Sequence, residues 1–289
     1  MDNIFPGQKI CGRWSGSTYT VLRQLGRGGV GAAYLVSSNG RRYCLKLSDD
    51  LMSLTWEYRF MKNNNRKRFL PKAYEFDDFV LNNNVKHYII LEYIEGKNLS
   101  EVMKSRQINS MTAIGISLLT AGVFIEFFEL GYIYTDLKPE NIMLDIKSHS
   151  LRLIDMGSLV KTGGMVREYT PKYDRAYWDC GLRRANEGYA CFEIMMLAAD
   201  LLFPIDYGVM SKQDITAVLN RLSGCTIHGV YSLAAKAFSG TADLNAIKEG
   251  LSDIYKAERR TDPSRIDNCI NISLIAGVIF LMGVIIYGL

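Results

Sequence analysis

The stretch YIYTDLKPEN, residues 132–141, carries an aspartate, a lysine and an asparagine at the spacing D-x-K-P-x-N. It is followed by LRLIDMG, residues 151–157, an apolar segment that ends in Asp155. A carboxylate can orient a substrate hydroxyl and accept its proton, and a lysine can neutralise a transferring phosphoryl group. Amide and carboxylate oxygens are ligands that Mg²⁺ accepts. The two segments therefore indicate phosphoryl-transfer chemistry.

Upstream, residues 26–31 read GRGGVG, a G-x-G-x-x-G run in which Gly26, Gly28 and Gly31 let backbone amides approach a phosphate. A dinucleotide-binding fingerprint would need a helix directly after the last glycine. Here AAYLV continues as a strand, and Asn39-Gly40 supplies a hairpin turn. The run therefore caps two antiparallel strands. Taken alone, a flexible glycine turn is the alternative.

Lys46 lies in the segment YCLKLS, where strand alternation puts it on the face opposite Leu45 and Leu47. A charged residue on that face needs an anionic partner. Nucleotide phosphates can supply it, and so can a carboxylate on the next helix, for which Glu57 in LTWEYRFMK is the candidate. A solvent-exposed edge lysine is the alternative interpretation.

The composition of the 289-residue chain is that of a globular protein, with 48% apolar and 22% charged residues. These values exclude a disordered tail, a collagen-like chain and a multi-span membrane protein. The net charge of +4 is too small to argue by itself for a nucleic-acid partner. The six cysteines form no C-x-x-C pair, and three histidines cannot complete a Cys/His metal site, so free thiols are expected.

The apolar pattern divides the chain into two predicted lobes. Residues 18–97 contain short strand-like runs separated by turn signals, which predict a β-rich N-lobe after an N-terminal extension at 1–17. Residues 98–258 contain longer runs with helical spacing, which predict an α-helical C-lobe. The fold class is therefore α+β.

The C-terminal run Ile270–Leu289 holds no charge and, at about 1.5 Å per helical residue, is long enough to span a bilayer once. The basic linker at 259–269 precedes it, which predicts a cytoplasmic catalytic domain by the positive-inside rule. A single-pass, tail-anchored protein of the cell membrane is expected, since the start of the chain lacks a signal peptide. The apolar stretch at 111–130 is interrupted by Glu126 and Glu129, which favours a buried helix.

The order and separation of these motifs resemble the signature of the eukaryotic-like (Hanks-type) serine/threonine protein kinases, over about residues 15–260. The resemblance implies a two-lobed kinase fold, here with one C-terminal transmembrane helix. The small size and terminal anchor are similar to those of bacterial sporulation-type membrane kinases. The implied activity is transfer of the γ-phosphoryl group of ATP, with Mg²⁺, to Ser or Thr hydroxyls of proteins.

The resemblance also implies site roles, position by position. It makes Asp136 the catalytic base and Lys138 the catalytic-loop lysine, and Asn141 and Asp155 the metal ligands. Thr170, in EYTPKYDRAYW, corresponds to the substrate-positioning threonine that hydrogen-bonds the catalytic aspartate and lysine. The implied nucleotide-binding residues are the loop glycines Gly26, Gly28 and Gly31, Lys46 with its partner Glu57, and the hinge LEYIEGKNL at 91–99, including Glu92, whose backbone reads the adenine.

Three features depart from the family pattern. Tyr134-Thr135 replaces the usual His-Arg before the catalytic aspartate, so the arginine that pairs with a phosphorylated activation loop is missing. The Ala-Pro-Glu motif is unrecognisable, with Tyr177 at the position of its glutamate. The aspartate expected at the start of the next buried helix is also missing, and Glu187 is the nearest carboxylate.

Alternative functions are a pseudokinase scaffold, which binds partners without transferring phosphate, and a small-molecule hydroxyl kinase of related fold. Pseudokinases commonly lose an ionic residue that this chain keeps, and a small-molecule kinase is not expected to carry Lys138-Pro139. Anionic lipid or DNA is a further candidate partner, through the membrane-proximal basic residues or the basic cluster Lys62, Arg66, Lys67, Arg68 and Lys72.

Overall fold

The computed structural model describes residues 4–28, 31–105, 108–205 and 214–261. The chain forms two compact units. Unit 1 comprises residues up to Glu95 together with Arg152–Gly157, and unit 2 comprises Gly96–Leu151 and the residues from Ser158 onward. Residues 152–157 thus belong with the β-rich unit, although the sequence assigned them to the C-lobe. The predicted membrane segment at 270–289 lies outside the described residues.

The described elements of unit 1 are β1 (Lys9–Cys11), β2 (Thr18–Arg27), β3 (Gly31–Ser38), β4 (Arg41–Ser48), α1 (Leu51–Asn63), β5 (Ala73–Leu81) and β6 (Asn84–Glu92). The six strands form one antiparallel sheet in the order β1-β2-β3-β4-β6-β5. Ile4 and Ile10 are buried in its core with Val36, Leu45 and Ile90. Part of the predicted N-terminal extension is therefore integral to the sheet.

Two tight turns fix the register of this sheet. Asn39 and Gly40, between β3 and β4, have φ of 49° and 74°. Asn82 and Asn83, between β5 and β6, have φ of 50° and 63°. Positive φ at both central residues matches the twist of paired strands and is accessible to Gly and Asn. The hairpin predicted at Asn39-Gly40 is thus present.

Unit 2 is mainly helical and also contains short strands. Its helices are α2 (Leu99–Lys104), α3 (Ser110–Glu129), α4 (Glu187–Leu202), α5 (Ile215–Ser223), α6 (Val230–Phe238) and α7 (Leu244–Thr261). Strand β7 (Gly96–Asn98) pairs with β9 (Ile142–Asp145), and β8 (Tyr132–Tyr134) pairs with β11 (Leu159–Lys161). Strand β10 (Ser150–Leu153) begins in unit 2, and its last two residues belong to unit 1.

Helices α3 and α4 form the centre of unit 2. Asn109 and Asn186 cap their N-termini by accepting hydrogen bonds from Thr112 N and Tyr189 N. Of the described helices, α3 alone has the length and apolar character of a membrane span, yet 67% of its most apolar window is buried within the protein. It packs against α4 and α7. This packing is typical of a core helix in a globular domain.

Candidate active site

Lys46 lies at the centre of a charged triad in unit 1. Its Nζ is 2.9 and 2.7 Å from the two carboxylate oxygens of Glu57, and 2.9 Å from Oδ1 of Asp155. The spacing of Leu54, Glu57 and Met61 puts all three on the buried face of α1. Glu57 is 2% exposed, whereas the Asp155 side chain is 41% exposed. The carboxylate partner that the sequence indicated for Lys46 is therefore present.

The charge of Lys46 is fixed by this arrangement. Burial alone would lower the pKa of Lys46, but the carboxylates of Glu57 and Asp155 outweigh it and raise the pKa above its usual value. Lys46 is therefore a permanent cation at physiological pH. Glu57 also accepts a hydrogen bond from Met156 N at 3.2 Å, which ties the segment after β10 to α1.

The three loop glycines are not equivalent. A Cβ on Gly31 would lie 2.3 Å from the carbonyl oxygen of Leu47 on the paired strand, so this position requires glycine. For Gly26 and Gly28, no atom of the described residues lies within 4 Å of such a Cβ. Gly28 N donates to Gly31 O at 2.9 Å and closes the loop. Gly29 and Val30, at the tip, lie outside the described residues.

Asp136 lies in unit 2, in the loop between β8 and a short 3₁₀ turn at Pro139–Asn141. One carboxylate oxygen accepts from Lys138 Nζ at 2.5 Å, and the other accepts from Thr170 Oγ1 at 2.7 Å. The structure therefore brings together the three residues to which the resemblance assigns the base, the lysine and the positioning threonine. Both partners fix the carboxylate plane, because each holds a different oxygen.

Two hydrogen bonds from its side-chain amide nitrogen orient Asn141. Nδ2 donates to the hydroxyl of Tyr134 and to the carbonyl oxygen of Asp136, at 3.1 Å each. Tyr134 is itself fixed by a stacked contact with Phe127. Within the described chain, the amide oxygen of Asn141 has no hydrogen-bond partner. A hard oxygen donor of this kind, like the carboxylate of Asp155, fits the preference of Mg²⁺.

Glu193 is a site residue that the sequence analysis missed. It lies inside α4, is 1% exposed, and accepts a hydrogen bond from Leu137 N in the catalytic loop at 3.0 Å. The second oxygen, Oε2, is buried and has no hydrogen-bond partner among the residues that the structure describes. Burial raises the pKa of Glu193 well above its usual value. The start of α4 carries no aspartate, and Glu193, further along the same helix, is the carboxylate that contacts the catalytic loop. The sequence feature that could have revealed Glu193 is the presence of one acidic residue within the apolar run YACFEIMM.

A second missed residue anchors the substrate-positioning loop. Asp174 is fully buried, pairs with Arg183 Nε at 2.6 Å and accepts from the hydroxyl of Tyr189 at 3.1 Å. It also accepts from the backbone amide of Tyr177 at 3.1 Å. The hydroxyl of Tyr173, the residue before Asp174, donates to Asp200. This network holds the loop in place, although the loop has no recognisable Ala-Pro-Glu motif.

Thr135 occupies the position of the missing arginine and is fully buried. Its Oγ1 is 2.7 Å from the carbonyl oxygen of Ser158 and 3.2 Å from that of Glu168. These two residues lie near the start and the end of the loop that leads to Thr170. A neutral hydroxyl thus connects the catalytic loop to both ends of this segment.

The side chain of Glu92, at the end of β6, forms an ion pair and a hydrogen bond. Its carboxylate is 2.6 Å from Arg152 and accepts from Lys72 N at 3.1 Å. The prediction for this region concerns the backbone of residues 91–99, which the side-chain contacts do not test. A role in reading adenine therefore stays a prediction.

Comparisons with known proteins agree with this geometry. Residues 19–178 match the family model of the protein kinase domain. The chain is 33% identical over 200 residues to serine/threonine-protein kinase YabT of Bacillus subtilis, covering 68% of this chain and 59% of that protein. It is 35% identical over 97 residues to serine/threonine-protein kinase D of Synechocystis, covering 34% of this chain and 18% of the relative.

The fold also matches a solved kinase structure. The structure of vaccinia related kinase 3 superposes with a TM-score of 0.67 at 12% identity, covering 90% of this chain and 93% of that one. At this identity the match concerns the fold alone. With the family match over residues 19–178, the predicted family is confirmed: the chain belongs to the protein kinase domain family, and its curated relatives are serine/threonine kinases of the Hanks type.

Proposed function

We propose that this protein transfers the γ-phosphoryl group of ATP to Ser or Thr hydroxyls of protein substrates, with Mg²⁺ as cofactor. The observation that carries the proposal is the fixed carboxylate of Asp136, held by Lys138 at 2.5 Å and by Thr170 at 2.7 Å. A base must be oriented toward the hydroxyl that it serves. Nothing in a purely structural loop requires this arrangement of a lysine and a threonine on one aspartate.

Each polar residue has a defined task in this function. Asp136 orients the substrate hydroxyl and accepts its proton, while Lys138 offsets charge on the transferred group. Lys46 holds a permanent positive charge for the nucleotide phosphates, since its pKa is raised by Glu57 and Asp155. Asp155 in unit 1 and Asn141 in unit 2 each carry a side-chain oxygen that would ligate Mg²⁺. When bound, Mg²⁺ neutralises phosphate oxygens and helps to orient the nucleotide.

Phosphoamino-acid analysis distinguishes this function from its two alternatives. The full chain is incubated with labelled ATP, Mg²⁺ and a generic protein substrate, with Asp136→Asn as the matched control. Label on phosphoserine or phosphothreonine that disappears in the control supports the proposal. Binding of ATP without any label would indicate a pseudokinase scaffold. Label found only on sugars or other small hydroxyl compounds would indicate a small-molecule kinase.

We further propose that the protein is held at the cell membrane by residues 270–289, with the kinase domain in the cytoplasm. The length and lack of charge of this segment support the proposal, as do the basic residues before it. Basic residues of the cluster at 62–72, including exposed Arg66 and Arg68, are candidates for contact with anionic lipid or DNA. Binding to vesicles and to duplex DNA at rising salt concentrations tests this contact.

A further inference from the structure

In unit 2, residues 163–167, which precede Thr170, and residues 182–185, which follow it, form a two-stranded ribbon. Gly163 N donates to Ala185 O at 2.6 Å, and Ala185 N donates to Gly164 O at 2.9 Å. Met165 lies directly opposite Arg184 in an antiparallel bridge. The ribbon therefore has a defined register and two faces.

One face of the ribbon is turned into unit 2. Val166 is 7% exposed, and Arg183 pairs with the buried Asp174. The guanidinium of Arg183 also lies 4.2 Å from the centre of the Tyr169 ring. Because Tyr169 precedes Thr170, which holds Asp136, these contacts fix the ribbon next to the catalytic loop.

The other face combines two apolar side chains with two arginines. Met165 and Leu182 are 77% and 74% exposed on the same face, and exposed apolar side chains that are grouped together are typical of a contact surface. Arg167 and Arg184 are exposed beside them. No carboxylate of the described residues lies within ion-pair distance of either arginine, although Arg184 Nε donates to the carbonyl oxygen of Gly163 at 3.0 Å.

The segment that contains both strands of the ribbon, residues 158–186, has more basic than acidic residues. Residues 158–186 contain six basic and three acidic residues, and four basic and two acidic residues lie outside the ion pairs Arg183–Asp174 and Lys172–Asp200. The exposed carboxylates are those of Glu168 and Asp179. The segment thus presents an excess of positive charge next to a residue that positions the catalytic aspartate, and complementary charge favours an acidic partner.

We propose that the face formed by Met165, Arg167, Leu182 and Arg184 docks an acidic, aliphatic-containing segment of the protein substrate, next to the hydroxyl that is phosphorylated. The inference rests on the proposed function, whose substrate class it specifies. The arginines pair with carboxylates of the substrate, and the two apolar side chains contact its Leu, Ile or Val residues. These four residues then determine which Ser or Thr sites are selected.

The kinetic test compares two synthetic peptides with one Ser and identical Leu residues, in which the flanking positions are either Asp or Lys. The full chain is expected to phosphorylate the Asp peptide with at least about tenfold higher kcat/KM. Arg167→Glu/Arg184→Glu should remove or invert this preference through KM, with little change in kcat. Met165→Ser/Leu182→Ser should raise KM for both peptides. Arg221→Glu/Lys236→Glu, exposed on α5 and α6, is the matched control and should behave as wild type.

A binding measurement that needs no catalysis separates failure of this inference from failure of the proposed function. Fluorescence anisotropy of the labelled Asp peptide should show binding to the full chain that Arg167→Glu/Arg184→Glu weakens by about tenfold or more. Equal affinity for the Asp and Lys peptides would overturn the inference even if the enzyme is active. It would also be overturned if the double charge reversal reduced binding to phosphatidylserine vesicles and left peptide binding unchanged.

Discussion

Glu193 is a carboxyl group that the catalytic loop uses as a hydrogen-bond acceptor, in a place that water does not reach. One oxygen accepts a hydrogen bond from Leu137 N, and the other is buried with no partner in the described part of the chain. A buried acid of this kind is more stable protonated than charged. Leu137, which donates this hydrogen bond, directly follows Asp136 in the sequence, so the charge state of Glu193 affects the catalytic loop directly.

Glu193→Gln should change how stability depends on pH. Because the folded-state pKa of Glu193 is raised, the native protein holds a proton that the unfolded chain releases above about pH 4.3. The contribution of Glu193 to the free energy of unfolding therefore falls as the pH rises above that value. Gln keeps an acceptor for Leu137 N and cannot ionise, so the Tm of the variant relative to wild type should rise between pH 5 and pH 8. Parallel Tm profiles, measured by scanning fluorimetry, would show that Glu193 has an ordinary pKa.

The loop glycines should respond differently to alanine. Gly31→Ala places a Cβ 2.3 Å from the Leu47 carbonyl oxygen, so the paired strands must shift. We expect a loss of about 1–3 kcal/mol in the free energy of unfolding. Gly28→Ala meets nothing within 4 Å and should leave stability unchanged, with only a partial loss of ATP binding. Urea denaturation and KM for ATP measure both effects, and equal destabilisation by the two variants would contradict the steric argument.

The segment between Asp155 and Thr170 is held by neutral contacts. Strand β11 pairs with β8, and the Thr135 hydroxyl reaches the carbonyl oxygens of Ser158 and Glu168. A phosphorylation-dependent loop requires a basic residue beside the catalytic aspartate, and Thr135 supplies no charge for a phosphate to neutralise. Ser158 is also buried. The order of this segment is therefore built into the unphosphorylated fold.

Activity should consequently be independent of loop phosphorylation. A phosphatase-treated enzyme with Ser158→Ala and Thr162→Ala should phosphorylate an added substrate without a lag and at the wild-type initial rate. Thr135→Val, which loses the hydroxyl at similar volume, should lower kcat by about tenfold, equivalent to about 1.4 kcal/mol, while Thr135→Ser retains most of it. A lag, or a rate depressed more than about tenfold in the phosphatase-treated variant, would show that a loop phosphate is required.

The elements and the local motifs were the parts that sequence could predict. The β-rich and helical regions, the turn at Asn39-Gly40 and the burial of α3 all follow from short-range patterns. The contacts of Glu193 and Asp174 could not be predicted in this way, because each carboxylate binds a partner from another part of the chain. Leu137 and Glu193, for example, are 56 residues apart. Likewise, β1 was missed because Lys9–Cys11 is too short to show a periodic pattern.

Removal of residues 270–289 tests how the whole protein is held in the cell. The truncated chain should leave the membrane fraction and keep its kinase activity, because this segment is the proposed anchor and lies after α7. Fractionation of cells expressing the full and truncated chains measures the change. If the truncated chain stayed in the pellet at high salt and alkaline pH, another segment such as α3 would have to be inserted, against its burial in unit 2.

The proposed kinase function requires Asp155 for phosphoryl transfer and not for folding. The decisive measurement is the rate of label transfer from ATP to a protein substrate by wild type and by Asp155→Asn, with thermal unfolding recorded for both. The substitution removes a metal-ligating charge and almost no volume. We predict that transfer falls by at least about 100-fold, roughly 2.7 kcal/mol, while the Tm stays within a few degrees. A folded Asp155→Asn variant with the wild-type rate would contradict the account.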